Sequence, residues 1–506
     1  MHGPIRSTIY RSRRAAELVA LAVVTVVQQG CGSNGNDEIG GLGSGSLAVS
    51  LGSKTMSLAP GDSGTVTVTL TRVDINSDIA LTVENLPAGV TAVFDPPNVS
   101  GTTSALRVRA TASAAPGNHD LLVRGTASGG KTATQTLSLS VTTATSQLAF
   151  KSVVVGGSTT CALTTTGAAY CWGGNRNGQV GNGNTSPSVV TPTAVSGGFT
   201  FESLGLPDIG TFACGLRDDG TAYCWGSNFF GQLGDGTIGT DRSTPTAVAG
   251  GLKLHSLSVG EAHVCGLTAD SVAHCWGDNG IGAFGDGTIK GSASPVAAAP
   301  DLRLRAIAAG GGFTCGLTGA GAGYCWGSGG FGVLGNGGVE KSLTPVGVAG
   351  GLSFDSIANS GFDTCALSAT GEAYCWGQNF YGNVGDGTTT QRSVPTAVAG
   401  GLRFTNLRMG YEHACAVAVG GAAYCWGVNS VGSLGDGTQT QRLTPTPVLG
   451  GLKFQNVSIG DSHACGVTEM VGGTNDIYCW GQNSSGELGD GTTTASGTPR
   501  KVRWPQ

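Results

Sequence analysis

Cysteine is the residue type with which this chain could do most chemistry, and its spacing is regular. Fourteen of the 15 cysteines form pairs: Cys161 with Cys171, Cys214 with Cys224, Cys265 with Cys275, Cys315 with Cys325, Cys365 with Cys375, Cys415 with Cys425, and Cys465 with Cys479. Two chemistries compete for them. Structural zinc needs four converging ligands, usually from short C-x2-C spacings. A C-x9-C pair offers two ligands, with nothing to bring neighbouring pairs together. A disulfide needs only opposition. In "CALSATGEAYC" (365–375) a turn near Gly371 folds a hairpin and faces the two cysteines across adjacent strands, within bridging distance. The spacing therefore predicts seven disulfides, no metal site, and an oxidising compartment. Each bridge closes a short loop and contributes about 2.7 kcal/mol in the chain-entropy account.

Other reactive types read as architecture. Asp235, Asp286, Asp386, Asp436 and Asp490 recur in "GDG", with Asn182 and Asn336 at the same place elsewhere. A calcium ring is conceivable, but Asp or Asn before Gly is an ordinary turn former, and no ligand carboxylates flank it. His263, His413 and His463 precede a cysteine by two, where other repeats carry Thr159, Phe212, Phe313 and Asp363. A place that accepts Phe does not require a catalytic base. "GIGAFG" (280–285) and "GFGVLG" (330–335) match the dinucleotide fingerprint but lack its strand and helix. HExxH, Walker A and G-x-S-x-G are absent, so no catalytic residues, no cofactor and no enzyme activity are expected.

The cysteines punctuate a repeat. First members fall at 161, 214, 265, 315, 365, 415 and 465. Each unit spells F-x-x-l-x-x-G-x-x-x-x-C-a-L-x-x-x-G-x-a-Y-C-W-G-x-N-x-x-G-x-l-G-d-G-t, then T-P-x-x-V-x-G-G-L. Short strand-forming segments between glycine turns, at about 50 residues per unit, describe propeller blades of about four strands. Trp172, Trp225, Trp276, Trp326, Trp376, Trp426 and Trp480 follow each second cysteine and are assigned to packing between sheets. "GYEHACAVAVGGAAYCWGVNSVGSLGDGT" (410–438) and "GDSHACGVTE" (460–469) resemble repeats of the RCC1 (regulator of chromosome condensation) superfamily. That resemblance covers 148–506 and implies a seven-bladed β-propeller. The first unit lacks a preceding "TPTAVAGG", so "TPRKVRW" (498–504) is expected to close the ring against the first blade, with Trp504 in the closing strand.

Before the array the composition changes. Residues 46–145 alternate with period two ("GTVTVTLTR", "SALRVRATA", "QTLSLSV") between turns such as "APGDSG" and "FDPP". They read as a β-sandwich that resembles bacterial immunoglobulin-like domains, without a cysteine. Residues 32–45 form a Gly/Ser/Asn tether. Residues 1–30 read as a signal peptide, basic at Arg6, Arg11, Arg13 and Arg14 and apolar over Leu18–Val27. "QQGC" resembles a bacterial lipobox with Cys31 as the lipidated residue, although Gln28 stands where that pattern has an aliphatic residue. The fold class expected is thus all-β throughout.

Net charge is −5, with no basic run after the first 14 residues, so nucleic acid is not an expected partner. Because the repeated phrase builds shape, recognition is expected where repeats differ. Two variable residues follow each W-G-x-N, and at these positions Phe229, Phe230, Phe331, Phe380 and Tyr381 are the candidate binding residues. The opposing reading folds those rings under their turns. The function expected is a non-enzymatic envelope or surface protein that binds a protein or glycan. It would be held to a membrane by lipidated Cys31, or else be periplasmic or secreted. Guanine-nucleotide exchange, which the resemblance also implies, conflicts with export and paired cysteines. A polysaccharide-acting enzyme would need an acid/base constellation that the repeats do not show.

Overall fold

The computed structural model describes residues 45–58, 62–111, 113–142 and 148–504. The signal peptide, Cys31 and all of the tether but Gly45 lie outside the described residues. The chain divides into two compact units, 1–144 and 145–506.

In the first unit, alternating sequence becomes alternating burial. Along Ser63–Val73, Val66, Val68 and Leu70 point inward and the intervening threonines outward. One sheet orders the strands Ser46–Leu51, Ser63–Val73, Thr103–Ala110 and Val90–Asp95. The other orders Thr55–Leu58, Thr132–Val141, Gly117–Ala127, Ile79–Glu84 and Asn98–Val99. Val68, Leu106 and Val108 from the first meet Leu121, Val123 and Leu137 from the second in a single core.

The second unit is a series of seven antiparallel sheets, each of four strands in chain order. The repeat with Cys365 is typical: Phe354–Asn359, Asp363–Ser368, Ala373–Gly377 and Arg392–Ala397. Cys365 stands directly opposite Cys375, flanked by the pairs Thr364 with Trp376 and Ala366 with Tyr374. The same register opposes Cys161 to Cys171, Cys214 to Cys224, Cys265 to Cys275, Cys315 to Cys325, Cys415 to Cys425, and Cys465 to Cys479. All seven expected pairs are disulfide-bonded, Cys465 to Cys479 across the longer turn included. Their Cα atoms are 4.0–4.1 Å apart, near the close spacing of a non-hydrogen-bonded antiparallel pair. Every one of these cysteines is fully buried.

Each tryptophan turns to the neighbouring sheet. All seven that follow a second cysteine are fully buried. The Trp225 indole N–H donates to the Gln179 carbonyl, Trp276 to Gln232, Trp326 to Ala283, Trp376 to Val333, Trp426 to Asn383 and Trp480 to Ser433, at 2.8–3.0 Å. Trp172 donates to Glu487 of the last repeat at 2.8 Å, so the same bond joins the ends of the series. Asn475 adds to this junction, accepting from the Phe150 N–H at 2.7 Å and donating to its carbonyl at 2.9 Å.

The carboxyl-terminal segment meets the first sheet as expected, but through a side chain beyond its strand. The strand Ser496–Lys501 pairs with Ile477–Gly481 of its own repeat and adds nothing to the first sheet, which already has four strands. Trp504 lies past the end of that strand. It stacks on Phe150 at 4.5 Å and meets Tyr170 and Trp172 edge-on at 5.5 and 5.9 Å. The junction is made by side-chain packing and side-chain hydrogen bonds, not by strand exchange.

The glycine that opens each "G-d-G" now has a reason. Gly385 has φ +78°, and a Cβ there would stand 2.7 Å from Nε1 of Trp426. Gly385→Ala is expected to destabilise the second unit by about 2–4 kcal/mol, combining left-handed strain with displacement of the indole. Urea unfolding followed by tryptophan fluorescence checks this; an unchanged midpoint would contradict the packing described.

Candidate functional site

Four antiparallel strands in chain order place the first-to-second and third-to-fourth loops at the same end of each sheet. The G-x-x-H turn and the W-G-x-N-x-x-G turn of every repeat therefore share one face.

The long third-to-fourth loop is fixed from within. Asn379 is typical: its Oδ1 accepts from the Val384 N–H at 3.0 Å, and its Nδ2 donates to the Thr388 and Thr390 carbonyls at 3.1 and 3.0 Å. Asp386 accepts from the Thr388 N–H at 2.9 Å and from Arg392 Nε at 2.7 Å. Asp235 and Asp436 repeat that pairing with Arg242 and Arg442. These carboxylates are committed to turn geometry and ion pairs.

The histidines are internal. His263 Nε2 lies 2.9 Å from Thr314 Oγ1, and His463 Nε2 lies 2.8 Å from Thr160 Oγ1. Both hydroxyls donate to a carbonyl of the preceding turn, so the imidazole is the donor to them. Burial pushes His263 and His413 down to about 4 and His463 to about 3. His413 has Ala464 where the other two have threonine, and its Nε2 has no partner.

The first-to-second loops lean on one another. The Glu261 N–H donates to the Gly310 carbonyl at 3.3 Å, Gly311 to Ser360 at 3.0 Å, and Tyr411 to Gly460 at 3.3 Å. A Cβ at Gly460 would stand 1.9 Å from the Gly156 carbonyl, so only glycine closes this contact. First strands line a cavity of about 260 Å³ that Leu257, Ile307, Ile357 and Arg408 share with Asp208.

Four carboxylates crowd the same loops: Asp208, Glu261, Glu412 and Asp461. Among the described residues none is in an ion pair. Burial raises Asp208 well above the usual carboxylate range, and Glu261 and Asp461 add to it. Burial raises Glu261 to about 7 and also raises Asp461. Glu412 is raised by burial and then by Asp461. Tyr411 is raised by burial and by Glu261, Glu412 and Asp461.

The five aromatic candidates separate into two groups. Phe229 and Phe230 are exposed and contact each other edge-on at 4.8 Å. Phe380 and Tyr381 are exposed elsewhere on the face, Phe380 by 53%. Phe331 meets Phe380 at 5.7 Å and Phe362 at 5.5 Å, and Phe362 meets Tyr411 at 5.5 Å. Phe331 holds φ +59°, a left-handed conformation that costs a bulky residue on the order of 1–2 kcal/mol. Sequence reasoning did not single out Phe362, Tyr411 or the four carboxylates. Their signal was variability itself: all but Asp208 fill the two free positions of G-x-x-H or its equivalents.

Two outcomes follow. Glu261 is raised in the fold, so its contribution to stability is full below its unfolded value and is lost as pH rises through about 7. Glu261→Gln should therefore be more stable than the parent at pH 8, by about 1–2 kcal/mol after allowing for solvent screening, and the difference should vanish as pH falls to about 4. Ala464→Thr should supply the hydroxyl that His413 lacks and add about 1 kcal/mol. Thermal unfolding of both variants across pH tests these outcomes.

Residues 210–506 match the model of the RCC1-like domain, and 150–179 and 166–215 match the RCC1 repeat. The human E3 ubiquitin-protein ligase HERC2 is 31% identical over 139 residues, which are 26% of this chain and 3% of that protein. The ultraviolet-B receptor UVR8 of Arabidopsis thaliana is 30% identical over 145 residues, 28% of this chain and 32% of that one. The chain thus spans a third or less of the length of these curated relatives. Among solved structures, human WBSCR16 aligns over 67% of this chain and 95% of its own, with TM-score 0.59 and 21% identity. Prp20p of Saccharomyces cerevisiae, described with its binding to Gsp1p and histones, aligns over 62% and 80%, with TM-score 0.55 and 23% identity.

Proposed function

We propose, from the premise that this chain belongs to the family of proteins with an RCC1-like domain, that it is a non-enzymatic binding protein whose β-propeller docks a protein partner. The observation that carries this reading is the continuous edge Phe380–Phe331–Phe362–Tyr411, which lies on the face where the repeats differ. The repeated side chains are committed to holding the sheets. The variable ones form a partly exposed aromatic surface of the kind that anchors interfaces.

We propose further that the seven sheets are the blades of one ring, that the first unit is an immunoglobulin-like spacer, and that an exported leader with lipidated Cys31 holds both at the cell envelope. The buried disulfides support an oxidising compartment. That compartment disfavours nucleotide exchange on an intracellular GTPase. Prp20p, with its binding to Gsp1p and histones, illustrates a propeller of this fold docking proteins.

The test is affinity capture with the intact oxidised chain against solubilised envelope proteins and, separately, surface polysaccharide. A version carrying Phe380→Ala and Tyr381→Ala runs alongside. One saturable protein partner, with capture reduced about tenfold or more in the variant, is the expected result. Equal capture by both versions would remove the aromatic edge as the docking site. Capture of polysaccharide alone would replace a protein with a glycan.

A further inference from the structure

The charge of this face narrows the partner, and the argument rests on the docking reading above. At the aromatic edge, Gly361 is the meeting point of two elements. A Cβ there would stand 2.9 Å from Glu261 Oε1 and 3.0 Å from the Tyr411 ring. A carboxylate oxygen and an aromatic ring therefore pack against the same backbone position. That oxygen is enclosed and has no hydrogen-bond partner. Glu412 follows Tyr411 in the chain, and Asp461 follows Gly460, whose carbonyl accepts from the Tyr411 N–H at 3.3 Å. Beneath the edge, Asp363 is 1% exposed; one of its oxygens bonds Asn383 and the other has no partner.

Among the described residues no cation answers them. The arginines of the long loops are engaged with Asp235, Asp386 and Asp436. Arg408, in the cavity lined by the first strands, donates to the carbonyl of its neighbour Leu407. It forms no ion pair with Asp208, Glu261, Glu412 or Asp461.

We infer that the partner presents an extended cationic segment, with lysine or arginine heads seated between Glu261, Glu412 and Asp461 and their stems lying along Tyr411, Phe362 and Phe331. Each part has a physical warrant. An ammonium or guanidinium supplies the countercharge that the partly exposed Glu261, Glu412 and Asp461 lack. Aromatic faces attract the same cations. Apolar stems of lysine and arginine lie well on exposed rings. The edge crosses loops of three successive repeats, which suits an extended segment better than a single ion.

Fluorescence anisotropy on the intact oxidised chain tests this. The probe is a labelled peptide of about twelve residues alternating arginine and glycine; a glutamate-for-arginine version and spermine are the comparison arms. Saturable binding of the arginine peptide is expected, weakened about tenfold between ~50 and ~300 mM salt. The double variant Glu412→Gln with Asp461→Asn should weaken it about tenfold or more, and Tyr411→Leu about threefold, with unfolding midpoints confirming that both variants fold. Absence of binding, equal binding of the glutamate peptide, binding unaltered by the double variant, or full effect from spermine without the peptide would each overturn the inference. The two readings fail separately. A captured protein that is lost on replacing Phe380 and Tyr381 by alanine, but is indifferent to salt and to the carboxylate variants, would leave the docking face standing and remove the cationic partner.

Discussion

One hydrogen bond organises the second unit: the indole N–H of each repeat, donated to a turn carbonyl of the repeat before it. It is made in a site from which water is excluded, so leaving it unmade would cost far more than making it gains. It also fixes distance, because the indole enters the space left by the Cβ that Gly385 and its equivalents lack. The disulfide beside each tryptophan acts at shorter range. Strand alternation sends cysteine and tryptophan to opposite faces of the sheet. The bridge therefore holds the hairpin, while the ring beside it reaches the next sheet. One element is local and the other joins neighbours. Repeated along the series, the two are sufficient to build it from short strands poor in large aliphatic residues.

This division of labour decides what remains available for recognition. Asn379 and its equivalents hold the long loops, three of the "GDG" aspartates pair with nearby arginines, and two of the three histidines bond buried threonines. Those side chains have little left to offer a ligand. The loops they hold carry two free positions per turn, and antiparallel order brings both kinds of turn to one face. A rigid scaffold with variable loops concentrated at one end is the usual geometry of a binding module.

Much of this was legible in the sequence. Cys365 and Cys375 are separated by the length of a hairpin, and Trp376 follows with the alternation that sends it to the other face. Spacing alone predicted those roles. Cys465 and Cys479, four residues further apart, bridge in the same register because the extra residues enlarge only the turn. Trp504 was harder: a tryptophan near the chain end reads as part of a strand, whereas its place depends on an unpaired surface of the first sheet around Phe150. Phe362, Tyr411 and Glu261 were harder still. Each sits in a turn that differs from its counterparts, so periodicity carries no information about it. Their proximity is created by the lateral leaning of one turn on the next. The separation of Phe229 and Phe230 from the Phe331 series has the same origin. Sequence marks which rings are variable, but only the packing of sheet on sheet says which variable rings are neighbours.

The carboxylates of the first-to-second loops are the costly part of the fold. Four acidic side chains crowd partly desolvated loops, none in an ion pair among the described residues, and each is held above its ordinary titration range. Such a cluster opposes folding at neutral pH, because burial disfavours the charged form of each member and, for Asp208 and Glu412, a neighbouring carboxylate adds to the cost. Nothing in the packing requires acids there, since other repeats place Gly157, Gly311 or Phe362 in corresponding turns. A structure that tolerates the repulsion must offset it elsewhere. The seven buried bridges and the indole bonds to neighbouring sheets do so at positions no ligand can reach. The strained φ of Phe331 belongs to the same pattern. Departures from local stability collect on one face, and the interactions that compensate for them lie in the sheets beneath.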